Sequence, residues 1–442
     1  MNKQIPLYLI MVGIFSYSIA DERATHPHQT QHTVTHQPHV IQHPVSQHTT
    51  PKPPVHPTPH APKPKPTPTQ PVHQTQPPIQ SDPVKKSWTM LVYLARDNSL
   101  YDAGTLNIDW LKSVDNPYVN ILVFDSFNRN GMKASQKLVI KHNSIQLVET
   151  LPYLDSGSAT TFKTALDWAI SSFPSEHLAV VAWDHGSGIL NRSASLLRGF
   201  CYDDTTNHHL DDMNIQQVLQ SVVQARNGNP IDIFGFDACL MASAEMTAAL
   251  APYVRFVVAS QQTIPDEGWY YLHSLNWQKN LTPEEFCKKI VADYGDFYLA
   301  GRESVTLAAI DTSYTSQLQA LINRLSAQLT DLMNQSTNPD QIRQQIAACA
   351  PSYFDEPTYM DIVKFCTMAQ QSFATNSALV STLNDLASLI GTMVIARTAS
   401  SDLSFAGGLS LYMPQHFVEP SYAKTWFAQH SSWKNFIQQY TR

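Results

Sequence analysis

The sequence has no excess of positive charge, and it has few long runs of apolar residues. The first shortage argues against a nucleic-acid-binding protein, and the second argues against a membrane-spanning protein. Its 29 lysines and arginines face 36 aspartates and glutamates, so the 442-residue chain has a formal net charge of −7. A negative balance argues against nucleic acid as the main partner. Beyond residue 20, no segment resembles the run of roughly 20 apolar residues that a membrane-spanning helix needs. No internal repeat is visible.

The one apolar stretch near the start of the chain has the form of a secretory signal. Lys3 supplies the charged beginning, residues 5–15 are apolar, and Ser18-Ile19-Ala20 is a small-x-small cleavage sequence. This pattern predicts a signal peptide over residues 1–20, and therefore export to the periplasm, the medium or the cell surface. With the signal removed, no stable membrane span is expected. A retained N-terminal anchor is the alternative.

Residues 21–85 differ in composition from the rest of the chain. Residues 21–84 hold 16 of the 29 prolines and 10 of the 18 histidines, with almost no large apolar side chains. Such a segment buries too little apolar surface to offset the entropy lost on ordering, so a disordered, partly polyproline linker is predicted. Histidine-rich tracts can also bind zinc or copper, but a solubilising spacer is the favoured interpretation.

From residue 86 onward, strand-like and helix-like patterns alternate. The expected strands cover residues 88–95, 118–124, 138–139, 178–182, 231–236, 254–259, 305–310 and 408–413, and the expected helices cover 160–172, 283–294, 314–333 and 377–396. Alternation of this kind predicts an α/β fold with a mostly parallel sheet and helices on both faces. We expect residues 86–280 to form a catalytic α/β core and residues 281–442 to form a helix-rich part that completes the fold.

Two reactive side chains follow predicted strands. His185 comes after the strand at 178–182, and Cys239 comes after the strand at 231–236. The carboxyl ends of parallel strands meet at one edge of a sheet, where α/β enzymes build their sites. A thiol beside an imidazole is the minimum equipment for cysteine nucleophilic catalysis. The histidine precedes the cysteine by 54 residues (239 − 185), an order that caspase-type enzymes share and papain-like enzymes reverse.

The sequence around the thiol suggests how it would be activated. Cys239 is expected to open an alanine-rich helix over residues 240–250, where the helix dipole would lower the pKa of the thiol. Its backbone N–H and that of Gly186 are expected to bind the oxyanion. Taken singly, Cys239 could be a small buried apolar residue, and His185 could be a polar residue at a strand end.

Several motifs together resemble the clostripain family of cysteine peptidases, and the resemblance extends over residues 86–442. The motifs lie at residues 92–98, 183–186, 201–204, 235–242, 259–261, 268–269 and 408–414. The resemblance implies a caspase-like α/β/α sandwich and a His185/Cys239 dyad. It also implies endopeptidase cleavage after basic residues, with arginine preferred to lysine. The expected partners are therefore protein or peptide substrates that contain basic residues.

The same resemblance assigns the specificity pocket. It places Asp237 in the pocket for the residue that precedes the cut, and strand alternation puts Asp237 on the same side as Cys239. A carboxylate there would bind a guanidinium through a charge-assisted pair, although Asp237 could instead cap the following helix. A second acidic pocket position, usually Asp in the family, is Glu267 here, which leaves the preference between arginine and lysine open.

Family members are often zymogens that are cut between the histidine and cysteine strands. Arg198 lies in that connection and matches the implied specificity, which makes it the candidate self-cleavage site. An ordinary solvated arginine is the alternative.

No cofactor is required by a His/Cys dyad, and no metal site is predicted. Clostripain-like enzymes can depend on calcium, and aspartates supply suitable oxygens, but the spacing of Asp203, Asp204, Asp211 and Asp212 matches no ligand loop. The adjacent His208 and His209 lack partners at zinc spacing.

In an exported protein the four other cysteines could form disulfides; Cys349 with Cys366 is one pairing among several.

Two other functions remain open. The chain could be a catalytically silent binding protein that keeps the fold, or a cysteine hydrolase or transpeptidase that acts on a different amide. The position of Asp237 separates these interpretations, because a carboxylate on the pocket floor favours basic peptides and a helix cap leaves the substrate undefined.

Overall fold

The computed structural model describes residues 86–189 and 199–442, and a nine-stranded sheet dominates this part of the chain. The predicted signal peptide, the linker and Arg198 lie outside the described residues. The strands are β1 (Trp88–Arg96), β2 (Val119–Arg129), β3 (Met132–Lys141), β4 (Ser144–Leu151), β5 (His177–Trp183), β6 (Phe200–Asp203), β7 (His208–Leu210), β8 (Ile231–Asp237), β9 (Val254–Ala259), β10 (Thr306–Asp311), β11 (Tyr359–Asp361), β12 (Val394–Ala399) and β13 (Ser410–Tyr412).

The strand order in the large sheet is β12-β10-β9-β8-β5-β1-β2-β3-β4. The five central strands, from β9 to β2, are parallel, and two antiparallel strands extend the sheet at each edge. Every residue of β1 is buried, as expected for a parallel strand covered on both faces. The mostly parallel sheet predicted from the sequence is therefore confirmed, and the antiparallel edges are an addition to it.

Helices cover both faces of this sheet. They are α1 (Tyr101–Lys112), α2 (Ala159–Ser172), α3 (Gln216–Ala225), α4 (Ala244–Leu250), α5 (Tyr271–Ser274), α6 (Pro283–Tyr298), α7 (Thr315–Gln335), α8 (Pro339–Cys349), α9 (Ile362–Ser372), α10 (Ser377–Met393), α11 (Trp426–His430) and α12 (Trp433–Tyr440). One apolar core includes side chains of α1, α5 and α6, and a second includes side chains of α2, α3, α4 and the C-terminal helices. The arrangement is an α/β/α sandwich, as predicted.

Element boundaries depart from the sequence pattern at several points. The helix expected over residues 377–396 ends at Met393, and residues 394–399 form β12 instead. Two β-branched residues, Val394 and Ile395, begin that strand, which pairs antiparallel with β10, so strand pairing prevails over the helical period. The helix α1 and the strand β4 were not expected from the sequence.

The chain adds β2, β3 and β4 on one side of β1, and it adds β5 and the later strands of the sheet on the other side. This change of side positions the site. β1 pairs with β2 on one side and with β5 on the other. Because the connections from β1 and β5 lead to opposite sides, a crevice opens at their carboxyl ends, the usual location of sites in α/β sheets. The loops that follow β1, β5 and β8 therefore share one edge.

The C-terminal part is tied to this edge by buried polar contacts. Gln261, which follows β9, donates from Nε2 to Asp361 at 2.9 Å and accepts the Gly408 N–H at 2.8 Å. Glu245 on α4 accepts the Tyr412 N–H at 2.9 Å. Side chains from both parts of the chain also share one apolar core. Across the two described ranges, no helix is both long enough and apolar enough to cross a membrane.

Candidate active site

The residues predicted for catalysis lie together at the carboxyl edge of the sheet. One cleft is lined by Leu100, Trp183, Asp184, His185, Asp237, Ala238, Cys239, Ile264, Pro265, Asp266 and Gly268. Trp183 at the end of β5 pairs with Asp237 at the end of β8. His185 and Cys239 each lie two residues beyond this pair. The cleft thus brings the imidazole, the thiol and the Asp237 carboxylate to one place.

The helix expected to start at Cys239 begins later. The helix α4 starts at Ala244, and the Ser243 side chain caps it by accepting the Met246 N–H at 3.1 Å. Before the helix, the N–H groups of Leu240 and Ala242 donate to backbone carbonyls of the loop after β9. These bonds hold residues 238–243 in a loop, so the prediction that a helix dipole acts directly on the Cys239 thiol is wrong.

A backbone donor contacts the thiol instead. The Ile264 N–H donates to the Cys239 Sγ at 3.2 Å. The Sγ also lies 3.8 Å from the Ile264 carbonyl oxygen, to which the thiol can donate. Cys239 is half-buried, whereas Cys201, Cys287, Cys349 and Cys366 are buried. All five are free of disulfides, so the pairing of Cys349 with Cys366 is not formed.

Gly186 lies directly against the backbone of Cys239. A Cβ placed on Gly186 would overlap the Cys239 carbonyl oxygen and would come within 3.1 Å of the Ala238 Cβ. Only glycine therefore allows the chain after His185 to approach the nucleophile so closely. This contact brings the backbone of Gly186 next to that of Cys239.

The His185 ring is held by a residue that sequence reasoning missed. Its Nε2 lies 2.9 Å from the Ser99 Oγ, in the loop between β1 and α1. Burial lowers the pKa of His185 below its usual value, and the carboxylates of Asp204 and Asp266 oppose that shift. The imidazole is therefore neutral near neutral pH and can accept a proton from the thiol.

A buried carboxylate anchors the residue that carries the ring. Asp184 accepts hydrogen bonds from the backbone N–H groups of His185 and Tyr202 and, at 2.7 Å, from the Asn98 side chain. Burial raises the pKa of Asp184 well above its usual range, and these donors oppose the shift. The signal available in the sequence was the polar cluster Arg96-Asp97-Asn98 at the end of β1.

Asp237 is buried in the cleft wall and does not cap a helix. It is 3% exposed, and both of its carboxylate oxygens accept the Trp269 N–H, at 3.1 and 3.0 Å. The Tyr271 hydroxyl donates to the same carboxylate at 2.8 Å. Burial raises the pKa of Asp237 to about 7, against the effect of these hydrogen bonds. The helix-cap alternative for Asp237 is therefore wrong, since Ser243 caps α4.

Two neighbouring acidic residues, Asp266 and Glu267, follow Pro265 near the cleft, and both are exposed. The backbone carbonyl of Glu267 accepts the Asn107 side-chain amide at 2.8 Å. Asp266 lines the cleft, whereas Glu267 does not. The carboxylate of Asp266 is also close enough to His185 to raise the pKa of the imidazole.

The aspartates considered for calcium do not converge on a common point. The Asp211 carboxylate accepts the N–H groups of Met213 and Asn214, at 3.0 and 2.8 Å. Asp212 accepts the Trp426 N–H at 2.7 Å. Over residues 86–189 and 199–442, no group of three or more His, Cys, Asp or Glu side chains could hold a metal ion. These aspartates therefore do not fit a calcium site.

Comparison with known proteins places the chain in a family. The model of the clostripain family matches residues 92–440. Clostripain of Hathewaya histolytica is 22% identical over an alignment that covers 37% of this chain and 36% of that protein. The alignment thus spans about a third of the length of this curated relative.

Two solved structures have a similar fold over most of the chain. An inactive zymogen of a C11 protease from Parabacteroides distasonis has a TM-score of 0.59 and 17% identity, covering 81% of this chain and 100% of that one. A secreted C11 cysteine protease from Bacteroides thetaiotaomicron, in complex with an irreversible peptide inhibitor, has a TM-score of 0.57 and 21% identity. It covers 80% of this chain and 99% of that one.

At these identities the structural likenesses establish the fold, which is the caspase-like sandwich predicted from the sequence. The family model establishes family membership as well, because it matches far more than half of the chain. A cysteine peptidase, the enzyme class expected from the histidine and cysteine motifs, agrees with this family. The chain belongs to the clostripain family of cysteine peptidases.

Proposed function

We propose that this protein is an exported cysteine endopeptidase that hydrolyses peptide bonds after basic residues, with Cys239 as nucleophile and His185 as acid–base. One observation carries the proposal: the cleft that joins His185 to Cys239 is also lined by the buried carboxylate of Asp237. Export rests on the predicted signal peptide at residues 1–20. No cofactor takes part in the proposed reaction.

The reaction proceeds through a thioester. The Cys239 sulfur bonds to the carbonyl carbon of the scissile peptide, and the thiol proton passes to His185. His185 gives this proton to the departing nitrogen as the C–N bond breaks, which releases an amine and leaves an acyl group on Cys239. Water then attacks the thioester and gives a proton to His185, and the sulfur leaves and recovers that proton.

The negative charge on the carbonyl oxygen needs donors during both attacks. We assign this role to the backbone N–H of Gly186, which lies against Cys239, and to the backbone N–H of Cys239. Preorganised donors of this kind each stabilise the transition state by about 3 kcal/mol.

The cleft contains a binding partner for a cationic side chain. Asp237 accepts hydrogen bonds from Trp269 and Tyr271, which fix the orientation of its carboxylate. A guanidinium can bind such a group through two parallel charge-assisted bonds, whereas a lysine ammonium binds as a point charge. This difference supports a preference for arginine over lysine as the residue that precedes the cut.

Hydrolysis of fluorogenic peptides that end in Arg, Lys, Asp or Leu tests the proposal. We expect kcat/KM to be highest for Arg, followed by Lys, and at least about 100-fold lower for Asp and Leu. Equal rates with EDTA and with added calcium are expected, because the aspartates considered for calcium do not converge. Cleavage after Leu or Asp would remove the role of Asp237. Inactivity of both the intact and the trypsin-nicked chain would favour a binding protein.

Asp266 and Glu267 offer a matched pair of substitutions. Asp266→Asn should lower kcat/KM for Arg peptides about 3- to 10-fold, because an exposed carboxylate at the cleft adds a modest attraction. Glu267→Gln should stay within about twofold of the parent, since its side chain does not line the cleft. Steady-state kinetics on the Arg peptide measure both. The reverse order of effects would restore Glu267 as the pocket residue.

Self-cleavage after Arg198 is the proposed activation step. Arg198 lies outside the described residues, but the two ends of its connection are held together. The Ser187 N–H donates to the Gly199 carbonyl at 3.0 Å, and the Gly199 N–H donates to the Ser187 Oγ at 3.2 Å. The folded body is therefore expected to survive a cut between them.

N-terminal sequencing of the active protein checks this step. A new N-terminus at Gly199 is expected in the parent protein and absent from the Arg198→Ala variant. Arg192 is the other arginine in the sequence between Ser187 and Gly199. The Arg192→Ala variant is therefore the matched control, and it should still be cut after Arg198. An active sample that is intact across Arg198 would contradict self-cleavage at this residue.

A further inference from the structure

We propose that Ser99 is a positioning residue that holds the His185 ring and selects which ring nitrogen exchanges the catalytic proton. The proposal rests on the proposed function, because it takes His185 as the acid–base. Neither the sequence motifs nor the family comparison assigns a role to Ser99. The observation behind it is the hydrogen bond between the Ser99 Oγ and the His185 Nε2, at 2.9 Å.

This hydrogen bond has a chemical consequence for the ring. A neutral imidazole carries one N–H and one lone pair, and a base must present the lone pair to the thiol. With Nε2 bound to Ser99, Nδ1 is the nitrogen left to act. We infer that Nε2–H donates to the Ser99 hydroxyl, which keeps the Nδ1 lone pair available for the Cys239 proton. The imidazolium formed in the reaction keeps the same bond to Ser99.

The position of Ser99 is set by its neighbour. Asn98 accepts the Leu100 N–H on its Oδ1 at 2.9 Å, and its Nδ2 lies within hydrogen-bond distance of Ala95 O, Asp184 Oδ1 and Tyr202 O, at 3.3, 2.7 and 3.2 Å. The residues on both sides of Ser99 are therefore fixed. The loop that carries the hydroxyl has little freedom to turn away from the ring.

The hydrogen bonds of Asn98 are also connected to the backbone of His185. Asp184 binds the Asn98 amide and also accepts the His185 backbone N–H. One buried carboxylate thus joins the loop that carries Ser99 to the residue that carries the imidazole. These bonds hold the two backbone segments that carry the exposed Ser99 side chain and the His185 ring.

The charged groups around His185 cannot perform this positioning by themselves. Asp204 and Asp266 act on the ring through its charge, since both raise the pKa of the imidazole. Cys239 lines the same cleft and is the proposed proton donor. Ser99 is neutral, so it can hold the ring in the uncharged and charged forms alike. Its loss should change the orientation and the tautomer more than the charge.

Kinetics of three variants of the full chain test the proposal. Ser99→Ala should lower kcat for the Arg peptide about 10- to 100-fold with KM within about twofold, the size of effect expected when a catalytic group is misplaced. Ser99→Thr keeps the hydroxyl and should recover kcat to within about threefold. Ser113→Ala is the matched control: this exposed serine at the end of α1 donates to the Asp109 carbonyl at 2.9 Å, and the substitution should leave kcat unchanged.

Imidazole NMR with ¹⁵N-labelled histidine separates this proposal from the proposed function. With the His185 signal assigned by its loss in His185→Gln, the parent should show one tautomer protonated at Nε2, and Ser99→Ala should show a mixture. An unchanged tautomer, a parental kcat in Ser99→Ala or a failure of Ser99→Thr to recover activity would overturn the proposal. If the parent is inactive on every peptide, the proposed function fails, and the NMR result still decides the role of Ser99.

Discussion

Replacing Cys239 with alanine should reduce hydrolysis of an Arg peptide to background, a loss of at least about 10⁴-fold in kcat. The sulfur forms the acyl intermediate, and removal of a catalytic nucleophile costs losses of this order or more. The melting temperature should change little, because the side chain is half-buried and lies beside the cleft. Steady-state kinetics and thermal unfolding of the purified variant measure both quantities.

Alkylation gives an independent check of the same residue. Iodoacetamide should label one thiol per native chain and inactivate the enzyme in proportion, because the other four cysteines are buried. Peptide mapping should locate the label on Cys239. The Cys239→Ser variant controls for the volume of the side chain. Substantial activity in Cys239→Ala, or inactivation without a label on Cys239, would place the nucleophile elsewhere.

Asp237→Asn should lower kcat/KM for Arg peptides about 10²- to 10³-fold while leaving the low rate on Leu peptides within about threefold. The loss corresponds to breaking one partner of a buried charge pair. Asparagine has nearly the same shape, and its oxygen can still accept the Trp269 N–H and the Tyr271 hydroxyl. The comparison of the two peptides is the measurement. An equal loss on both would mean that Asp237 has a structural role alone.

The pH dependence of the same reaction follows from the sign of the shift at Asp237. Its pKa is raised to about 7 by burial, so the carboxyl is neutral below that pH and ionised above it. Attraction for a cationic side chain is therefore present above about pH 7 and is lost as the pH falls through this value.

A pH profile of kcat/KM can separate the two groups that titrate in the cleft. The parent should lose activity on Arg peptides as the pH falls through about 7, and Asp237→Asn should lack that component. The remaining acid limb then belongs to His185, whose pKa is lowered by burial. Bound arginine stabilises the ionised Asp237, so the acid limb of kcat should lie at lower pH than that of kcat/KM. Superimposable profiles for parent and variant would contradict this assignment.

The parts of the site that the sequence predicted depend on strands. The apolar runs before His185 and Cys239 are short and bounded, and such runs in an alternating pattern indicate buried parallel strands. Parallel strands align their carboxyl ends, so the meeting of His185 with Cys239 followed from local patterns alone. The pocket role of Asp237 came from the family resemblance, and Asp237 lies at the same edge because it is the last residue of β8.

The parts that the sequence did not predict depend on contacts between distant loops. Residues 240–250 have the composition of a helix from their first residue, but Leu240 and Ala242 donate to the carbonyls of Gln262 and Ser260. Ser243, a preferred N-cap residue, was the local sign of the true start. Loops also lack a periodicity that would fix their register, so the choice between Asp266 and Glu267 at the cleft could not be made from the sequence.

Because Ser187 and Gly199 are hydrogen-bonded to each other, a cut in this connection would leave two chains within one folded body. The pieces before and after the cut contribute β5 and β8, which lie side by side in one sheet, and each piece holds one member of the dyad. A nicked molecule would therefore migrate as one particle in native conditions and as two chains in denaturant. Its refolding would become a second-order encounter of two fragments that depends on concentration, whereas the uncut chain would refold at a rate independent of dilution.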